Sequence, residues 1–147
     1  MNIILLPIHP EYVHKIFRGT KQVEFRKVHF RKTINAIILY STAPESKIVG
    51  LCTVKSIIVS GPKELWLKFQ HCAGINQEKY NVYFEGHEKG TAIKIEDTIR
   101  FSRGVKLSEL STDVFPPRGF RYVSEAFLIR ICEICGEEVD KWGILQF

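Results

Sequence analysis

Short hydrophobic blocks alternate with polar turns along the chain, and their periodicity predicts mostly strands. Uninterrupted apolar runs at residues 3–6 and 36–40 are typical of buried strands. Residues 22–26 alternate in polarity, with Val23 and Phe25 on one side, which is typical of a half-buried strand. The full set of predicted strands is 3–6, 22–26, 36–40, 48–59, 91–101 and 127–131, with a bend at Gly50 and a bend or bulge at Asp97-Thr98.

Three segments predict short helices. Residues 10–18 have apolar side chains at helical spacing, with Pro10 at the first position and Gly19 just past the end. A second helix opens at Gly61-Pro62, and a third follows the N-cap residue Asn76. The aromatic stripe of this third helix, Tyr80, Tyr83 and Phe84, is interpreted as core packing. Residues 102–122 are predicted to be irregular, and the tail from Glu133 is left unassigned.

This order of elements favours an α+β fold. The strands are separated by turns rather than by regular crossover helices, which favours a small mixed or antiparallel β-barrel with flanking and inserted short helices over a doubly wound parallel sheet. The length, 147 residues, fits one domain over residues 1–147. The composition, 45% hydrophobic and 25% charged, is that of a globular protein.

Neither membrane insertion nor export is expected from the hydrophobic pattern. No apolar run approaches the ~18 residues that a membrane helix needs, and the first ten residues lack the basic lead-in of a signal peptide. We therefore expect a cytoplasmic protein whose four cysteines are reduced.

The formal net charge of the chain, +5, is concentrated in one segment. Residues 11–32 contain seven lysines and arginines against two acids, whereas the positive and negative charges of the remaining chain cancel. A focused positive field attracts polyanions, of which nucleic acid is the common case. The alternative is a solvated basic face without a partner.

The densest polar cluster of the sequence lies within this segment. Glu24 and Arg26 are two residues apart and share one strand face, and Lys21 can reach the same face from the junction with the preceding helix. Two cations around a carboxylate can hold a phosphate or carbonyl while the carboxylate accepts from an amino group, as nucleobase edges require. A structural ion-pair network is the alternative.

These residues carry a resemblance to a known family. Gly19, Lys21, Glu24 and Arg26 match G-x-K-x-x-E-x-R, and with the surrounding order of elements the chain resembles the ASCH domain, a branch of the PUA-like superfamily, over about residues 1–122. The resemblance implies a PUA-like barrel with a cleft lined by Lys21, Glu24 and Arg26, a turn shaped by Gly19, and a role in RNA binding or RNA-linked regulation. The adjacent cations would contact phosphates without specifying sequence: Lys27, Arg31 and Lys32.

The family also suggests enzymatic alternatives. Some small bacterial ASCH proteins resemble amidohydrolases of N4-acylated cytidines, and if this protein is an enzyme, Lys21 and Glu24 would be its catalytic residues. The family threonine is replaced here by Glu24, which cannot serve as the same hydroxyl nucleophile. A ribonuclease would need an acid/base pair, for which Lys21 with His14 or His29 is the available set. A module that binds a small ligand or a protein is a third hypothesis.

Two further motifs were considered. The segment 115–122 places Arg118 and Arg121 beside Phe120 and Tyr122, a set that can stack an unpaired base and hold its phosphate, or can simply pack a rigid loop. The spacing Cys132-x-x-Cys135 supplies two thiols where a structural zinc site usually needs four ligands. No metal and no cofactor is therefore predicted, and single-stranded RNA or a nucleotide-like ligand is the expected partner.

Overall fold

A computed structural model describes residues 1–111 and 116–138 of the chain. Within these ranges it has six strands, four α-helices and two short 3₁₀ turns. The strands are β1 (Ile3–Ile8), β2 (Val23–Arg26), β3 (Ala36–Ser41), β4 (Lys47–Ser60), β5 (Gly90–Val105) and β6 (Arg121–Val123). The helices are α1 (Pro10–Arg18), α2 (Pro62–Phe69), α3 (Gln77–Phe84) and α4 (Glu125–Cys135), and the 3₁₀ turns are Gln70–Cys72 and Leu107–Glu109.

All six strands belong to one sheet in the order β2-β5-β4-β3-β1-β6. β1 runs parallel to β3, with Ile3 opposite Ala36, and the other described pairs are antiparallel. This mixed sheet with its helices confirms the predicted α+β class. The strand pairing of the described residues leaves β2 and β6 as two free edges, so the expected closed barrel is an open sheet instead.

Hydrophobic clusters lie on both faces of the sheet, which explains why β1 and β3 are apolar throughout. Ile3 and Leu5 pack in a cluster with α4, whereas Ile4 and Leu6 pack in a cluster with α1. A third cluster joins β2 to the buried faces of α2 and α3, and includes Phe25. The helices therefore cover β2, and this position decides the environment of its polar side chains.

The ends of α1 are specified locally. The His9 side chain accepts a hydrogen bond from the Glu11 backbone N–H, Pro10 begins the helix, and Gly19 ends it in the left-handed region at φ 83°. The predicted bounds, residues 10–18, are confirmed. The sharp exit at Gly19 turns the chain from α1 into β2 and places Lys21 beside the helix.

The C-terminal part differs from the sequence-based expectation. The predicted strand over residues 127–131 is wrong: these residues lie within α4, whose N-cap Ser124 accepts a hydrogen bond from Phe127 N–H. Part of the predicted irregular segment is regular, because β5 continues to Val105 and β6 pairs with β1. An apolar run is compatible with either a buried strand or a buried helix, and here the serine cap decides for the helix.

None of the helices in the described residues is long and apolar enough to span a membrane.

Candidate nucleotide-binding site

Glu24 lies between two cations at the edge of the sheet. One carboxylate oxygen, Oε1, lies 3.6 Å from Lys21 Nζ, and the other, Oε2, lies 3.5 Å from an Arg26 guanidinium nitrogen. Oε1 also accepts a hydrogen bond from the Phe25 backbone N–H at 3.1 Å. The predicted convergence of these three side chains is therefore present in the fold.

Lys21 is held by a segment far from it in sequence. Its ammonium donates a hydrogen bond of 2.7 Å to the Ala73 carbonyl, and its side chain stem packs against Gly74. The residue is only 3% exposed. Burial, the largest influence, lowers the pKa of Lys21, while the nearby Glu24 carboxylate acts in the opposite direction.

Arg26 is fixed in a similar way on the other side of the carboxylate. Its guanidinium donates a hydrogen bond of 2.6 Å to the carbonyl of Pro7 at the end of β1. A guanidinium has five N–H donors, so the contacts to Pro7 and Glu24 leave donor capacity for a ligand. Backbone carbonyls and the shared carboxylate of Glu24 thus fix the positions of Lys21 and Arg26.

These side chains face a pocket of about 210 Å³ rather than pairing in a closed interior. Aromatic and apolar side chains form most of its wall, including Tyr12 from α1 and Tyr83 from α3, with His9 and Ile75 beside them. The Lys21 ammonium lies 5.4 Å from the ring centres of both Tyr12 and Phe25. The pocket therefore combines flat apolar walls with hydrogen-bonding groups of both kinds.

This combination suits a flat, polar-edged ligand. Glu24 accepts hydrogen bonds, and Lys21 and Arg26 donate them, so the pocket can satisfy both amino and carbonyl groups at the edge of one ring. The aromatic walls offer stacking surfaces. The same groups could also hold a phosphate, but then Glu24 would repel it, which favours the ring over the anion as the occupant.

The cations that follow β2 lie outside the pocket. Lys27, Arg31 and Lys32 are exposed. The Lys27 ammonium lies 4.5 Å from the ring centre of Tyr83, and that of Lys32 lies 5.0 Å from the ring centre of Tyr122. Lys27 thus borders the pocket through Tyr83, while Lys32 lies over a different part of the surface.

The second predicted site separates from the pocket. Phe120 packs against the rings of Phe30 and Tyr122, at centroid distances of 4.7 and 5.4 Å. Arg121 is exposed and lies 5.6 Å from the ring centre of Phe127. Arg118 is exposed, and Phe115 lies outside the described residues. The structure therefore gives Phe120 a packing role and does not bring this loop to the wall around Lys21.

The cysteines of α4 and the histidines His14 and His29 lie away from the pocket. Cys132 and Cys135 lie on the buried face of α4, and burial raises the pKa of Cys132 to about 11. Among the described residues, no group of three or more histidine, cysteine or acidic side chains could hold a metal ion. His14 lines a different cavity, next to Arg100, and His29 is exposed. Neither histidine lines the pocket around Lys21.

Several wall residues escaped the sequence analysis. Tyr12 and Tyr83 were assigned to apolar helix faces, and of the predicted aromatic stripe Tyr80 and Phe84 are indeed buried. Tyr80 and Tyr83 nevertheless both line the pocket, whereas Phe84 does not. The carbonyls that fix Lys21 and Arg26 carry no side-chain signal. The signal that the sequence offered was the glycine at position 74, because glycine permits both the φ of 65° found there and a close approach of the backbone to Lys21.

Comparison with known proteins agrees with this fold. The ASCH domain model matches residues 6–99, which include α1, β2 and every residue named above as lining the pocket. The class of protein is thus defined by both fold and sequence, and the chain belongs to the ASCH domain family.

Individual proteins are similar to this chain in sequence or in fold. An ASCH domain-containing ribonuclease of Zymomonas mobilis is 29% identical over 122 residues, covering 81% of this chain and 82% of that protein. The crystal structure of ASCH from Zymomonas mobilis superposes with a TM-score of 0.84 at 24% identity, covering 92% of this chain and 96% of that one. The N-terminal domain of Staphylothermus marinus McrB has a similar fold, with a TM-score of 0.61 at 11% identity over 89% of this chain and 93% of that one.

Proposed function

We propose that this protein binds single-stranded RNA and takes one unpaired nucleobase into the pocket around Lys21, Glu24 and Arg26. The observation that carries the proposal is the pairing of an acceptor, Glu24, and two donors with aromatic walls in one pocket open to solvent. Sequence-specific RNA recognition depends on unstacked bases that pack on aromatic rings and use their edges for hydrogen bonds.

The charge distribution supports a nucleic acid as the larger ligand. The exposed cations Lys27, Arg31 and Lys32 follow directly after the pocket residues, and Lys27 lies next to the pocket wall. Such cations attract phosphates at long range and set affinity without specifying sequence. RNA is favoured over DNA because the Zymomonas mobilis relative is named a ribonuclease. Binding without cleavage would suit a regulatory role.

The salt dependence of binding tests this proposal. Affinity for a short labelled single-stranded RNA, followed by fluorescence anisotropy, should fall steeply with salt. A triple alanine variant at Lys27, Arg31 and Lys32 should weaken binding to all sequences and reduce the slope of log K against log salt by about 2, since each single-strand phosphate contact contributes ~0.7.

A matched control variant loses the same number of positive charges at a different place on the surface. Alanine at Lys63, Lys68 and Lys89, exposed cations on α2 and before β5, removes the same charge away from the pocket wall. This variant should keep the slope of the unaltered protein. Equal slopes for both triple variants, or binding that is independent of salt, would contradict the proposal. Glu24→Gln should change base preference more than overall affinity.

RNA hydrolysis is the second candidate function. The name of the Zymomonas mobilis relative favours it, and so does a buried lysine with a lowered pKa next to a carboxylate, because general acid–base groups work best near the ambient pH. Incubation with RNA and with N4-acetylcytidine, followed by chromatography, tests cleavage and deacylation together. No product above a Lys21→Ala control would exclude catalysis on these substrates and leave the binding function standing.

A further inference from the structure

A second cavity adjoins the pocket on the outer side of α3. Its volume is about 610 Å³, and it is lined mainly by apolar groups, including Val82 and Ile75. Tyr12, Ile75 and Tyr83 line both cavities, so the two share a wall. We call this second cavity the α3 shelf. Val82, on the shelf, is 67% exposed, and the surface is therefore apolar but open to solvent.

A lysine ammonium lies over the ring of each tyrosine in the shared wall. The Lys15 ammonium lies 5.6 Å from the ring centre of Tyr12, and the Lys27 ammonium lies 4.5 Å from that of Tyr83. Lys15 is further held by a hydrogen bond of 3.1 Å to the Gly74 carbonyl. The charged residues on the shelf itself, Glu78 and Lys79, have opposite signs, so the positive charge is concentrated at the boundary with the pocket.

We propose that the α3 shelf binds the nucleobase adjacent to the one held in the pocket, so that the recognised unit is a dinucleotide. This inference rests on the proposed function. A strand that continues from the pocket onto the shelf must cross the wall of Tyr12 and Tyr83, and its connecting phosphate then lies near Lys15 and Lys27. The second base meets a mainly apolar surface with tyrosine rings, which favours stacking without strong base selectivity.

Continuity with the pocket favours a nucleotide over a protein segment as the occupant. A protein partner would use the apolar area but would gain nothing from two cations at the pocket boundary, unless it were acidic there. A nucleotide uses all of these features at once, because each base is flat and apolar on its faces and is joined to the next by a single negative charge.

The test compares ligands that differ only in the second nucleoside. Isothermal titration of the full chain would compare each dinucleoside monophosphate, ApA, CpC, GpG and UpU, with the matching nucleoside 3′- and 5′-methyl phosphates. These ligands carry one phosphodiester each. Base–aromatic stacking is worth about 1–3 kcal/mol per base, so the second nucleoside should increase affinity by about fivefold to 150-fold for the preferred base. A methylphosphonate linkage, which is neutral, should lose part of this gain.

A variant on the shelf locates the gain. Val82→Asp places a charge on the shelf, and Leu67→Asp is its matched control, because Leu67 is also 67% exposed but lies on α2 outside both cavities. Val82→Asp should abolish the gain from the second nucleoside while leaving the affinity for the methyl phosphates within about twofold, whereas Leu67→Asp should retain the gain. Thermal melting would verify that both variants fold.

The outcomes separate this inference from the function on which it rests. Equal affinity for dinucleotides and methyl phosphates would overturn the dinucleotide site, would assign the shelf to a protein partner or a second copy, and would leave base binding in the pocket intact. A gain that survives in folded Val82→Asp would also overturn it. If Val82→Asp does not fold, the ligand comparison in the unaltered protein decides. No binding of any of these ligands or of longer RNA would overturn the proposed function as well.

Discussion

Two charged segments that follow each other in sequence have opposite environments in the fold. In residues 19–26, Lys21 and Glu24 are 3% and 8% exposed, whereas in residues 27–32 the lysines and the arginine are exposed. The first set has fixed partners, including the carbonyls of Ala73 and Pro7. In the second set, Lys27 and Lys32 lie over the rings of Tyr83 and Tyr122. Charge in the sequence alone does not distinguish these two environments.

The difference assigns separate tasks to the two segments. Buried charges have a high energetic cost unless they are paired and hydrogen-bonded, so their positions are tightly determined. Fixed donors and acceptors can discriminate one ring edge from another. Exposed charges are screened by salt within about 10 Å and are free to move, so they attract a polyanion without selecting its sequence. Substitutions in the buried set should therefore have larger effects than matched substitutions at exposed positions.

The largest effect is expected from removing the shared carboxylate. Glu24→Leu leaves Lys21 buried without its carboxylate partner and Arg26 with one contact fewer, and breaking a buried ion pair in this way costs about 3–5 kcal/mol. The control is Glu133→Leu, which breaks the pair Arg130–Glu133, at 3.3 Å, in which both side chains are more than half exposed. That loss should stay below about 1 kcal/mol. Urea denaturation measures both, and similar losses would show that burial does not distinguish the two pairs.

A smaller effect is expected where the backbone approaches Lys21. Gly74 has φ 65°, and a Cβ there would lie 2.7 Å from Lys21 Cγ, whereas Gly86, with φ 79°, has no atom within 4 Å of its added Cβ. Both alanine variants incur the left-handed backbone cost of about 1–2 kcal/mol, but Gly74→Ala adds overpacking of about 1–3 kcal/mol.

The difference between the two glycine variants isolates the contact with Lys21. Gly74→Ala should unfold at clearly lower urea concentration than Gly86→Ala, and its affinity for RNA should fall because the ammonium is displaced. Equal urea midpoints with unchanged RNA affinity would mean that the position of Lys21 does not depend on the close approach of Gly74.

The sequence pattern predicted those elements whose ends or faces are determined by residues close to them in the chain. The bounds of α1 follow from Pro10 and Gly19, and the shared face of Glu24 and Arg26 follows from the two-residue period of a strand. The strand predicted over residues 127–131 was wrong because a short apolar run has no period of its own, and the cap at Ser124 lies outside it. Where the sequence pattern fitted both a strand and a helix, contacts with the rest of the fold determined which of the two formed.

Parts of the site were beyond sequence analysis for a related reason. Lys21 is buried by Ala73 and Gly74, which lie more than fifty positions further along the chain, and a carbonyl acceptor is present at every residue. Tyr80, Tyr83 and Phe84 lie on the same helix, and the packing of α3 against β2 determines that the two tyrosines line the pocket while Phe84 does not. The residue types were visible in the sequence, but their exposure was a property of the assembled sheet and helices.

The smallest effect concerns the charge of Lys21 itself. Burial lowers the pKa of Lys21 in the folded protein below the ordinary lysine value of about 10.4. The folded state therefore binds fewer protons than the unfolded state between these two pKa values, and the contribution of Lys21 to the free energy of unfolding rises with pH across that window.

Relative to Lys21→Met, the unaltered protein should gain stability as the pH is raised from neutral towards 10.4. Urea denaturation at several pH values measures this difference, and Lys27→Met, at an exposed position, is the control for the loss of one lysine charge. Tyr80, whose pKa burial raises to about 12, is common to all three proteins and cancels in the comparison. Parallel pH curves of the free energy of unfolding for Lys21→Met and the unaltered protein would show that the buried ammonium titrates as though it were in water, and the contrast between the buried and exposed charges would then lose its energetic basis.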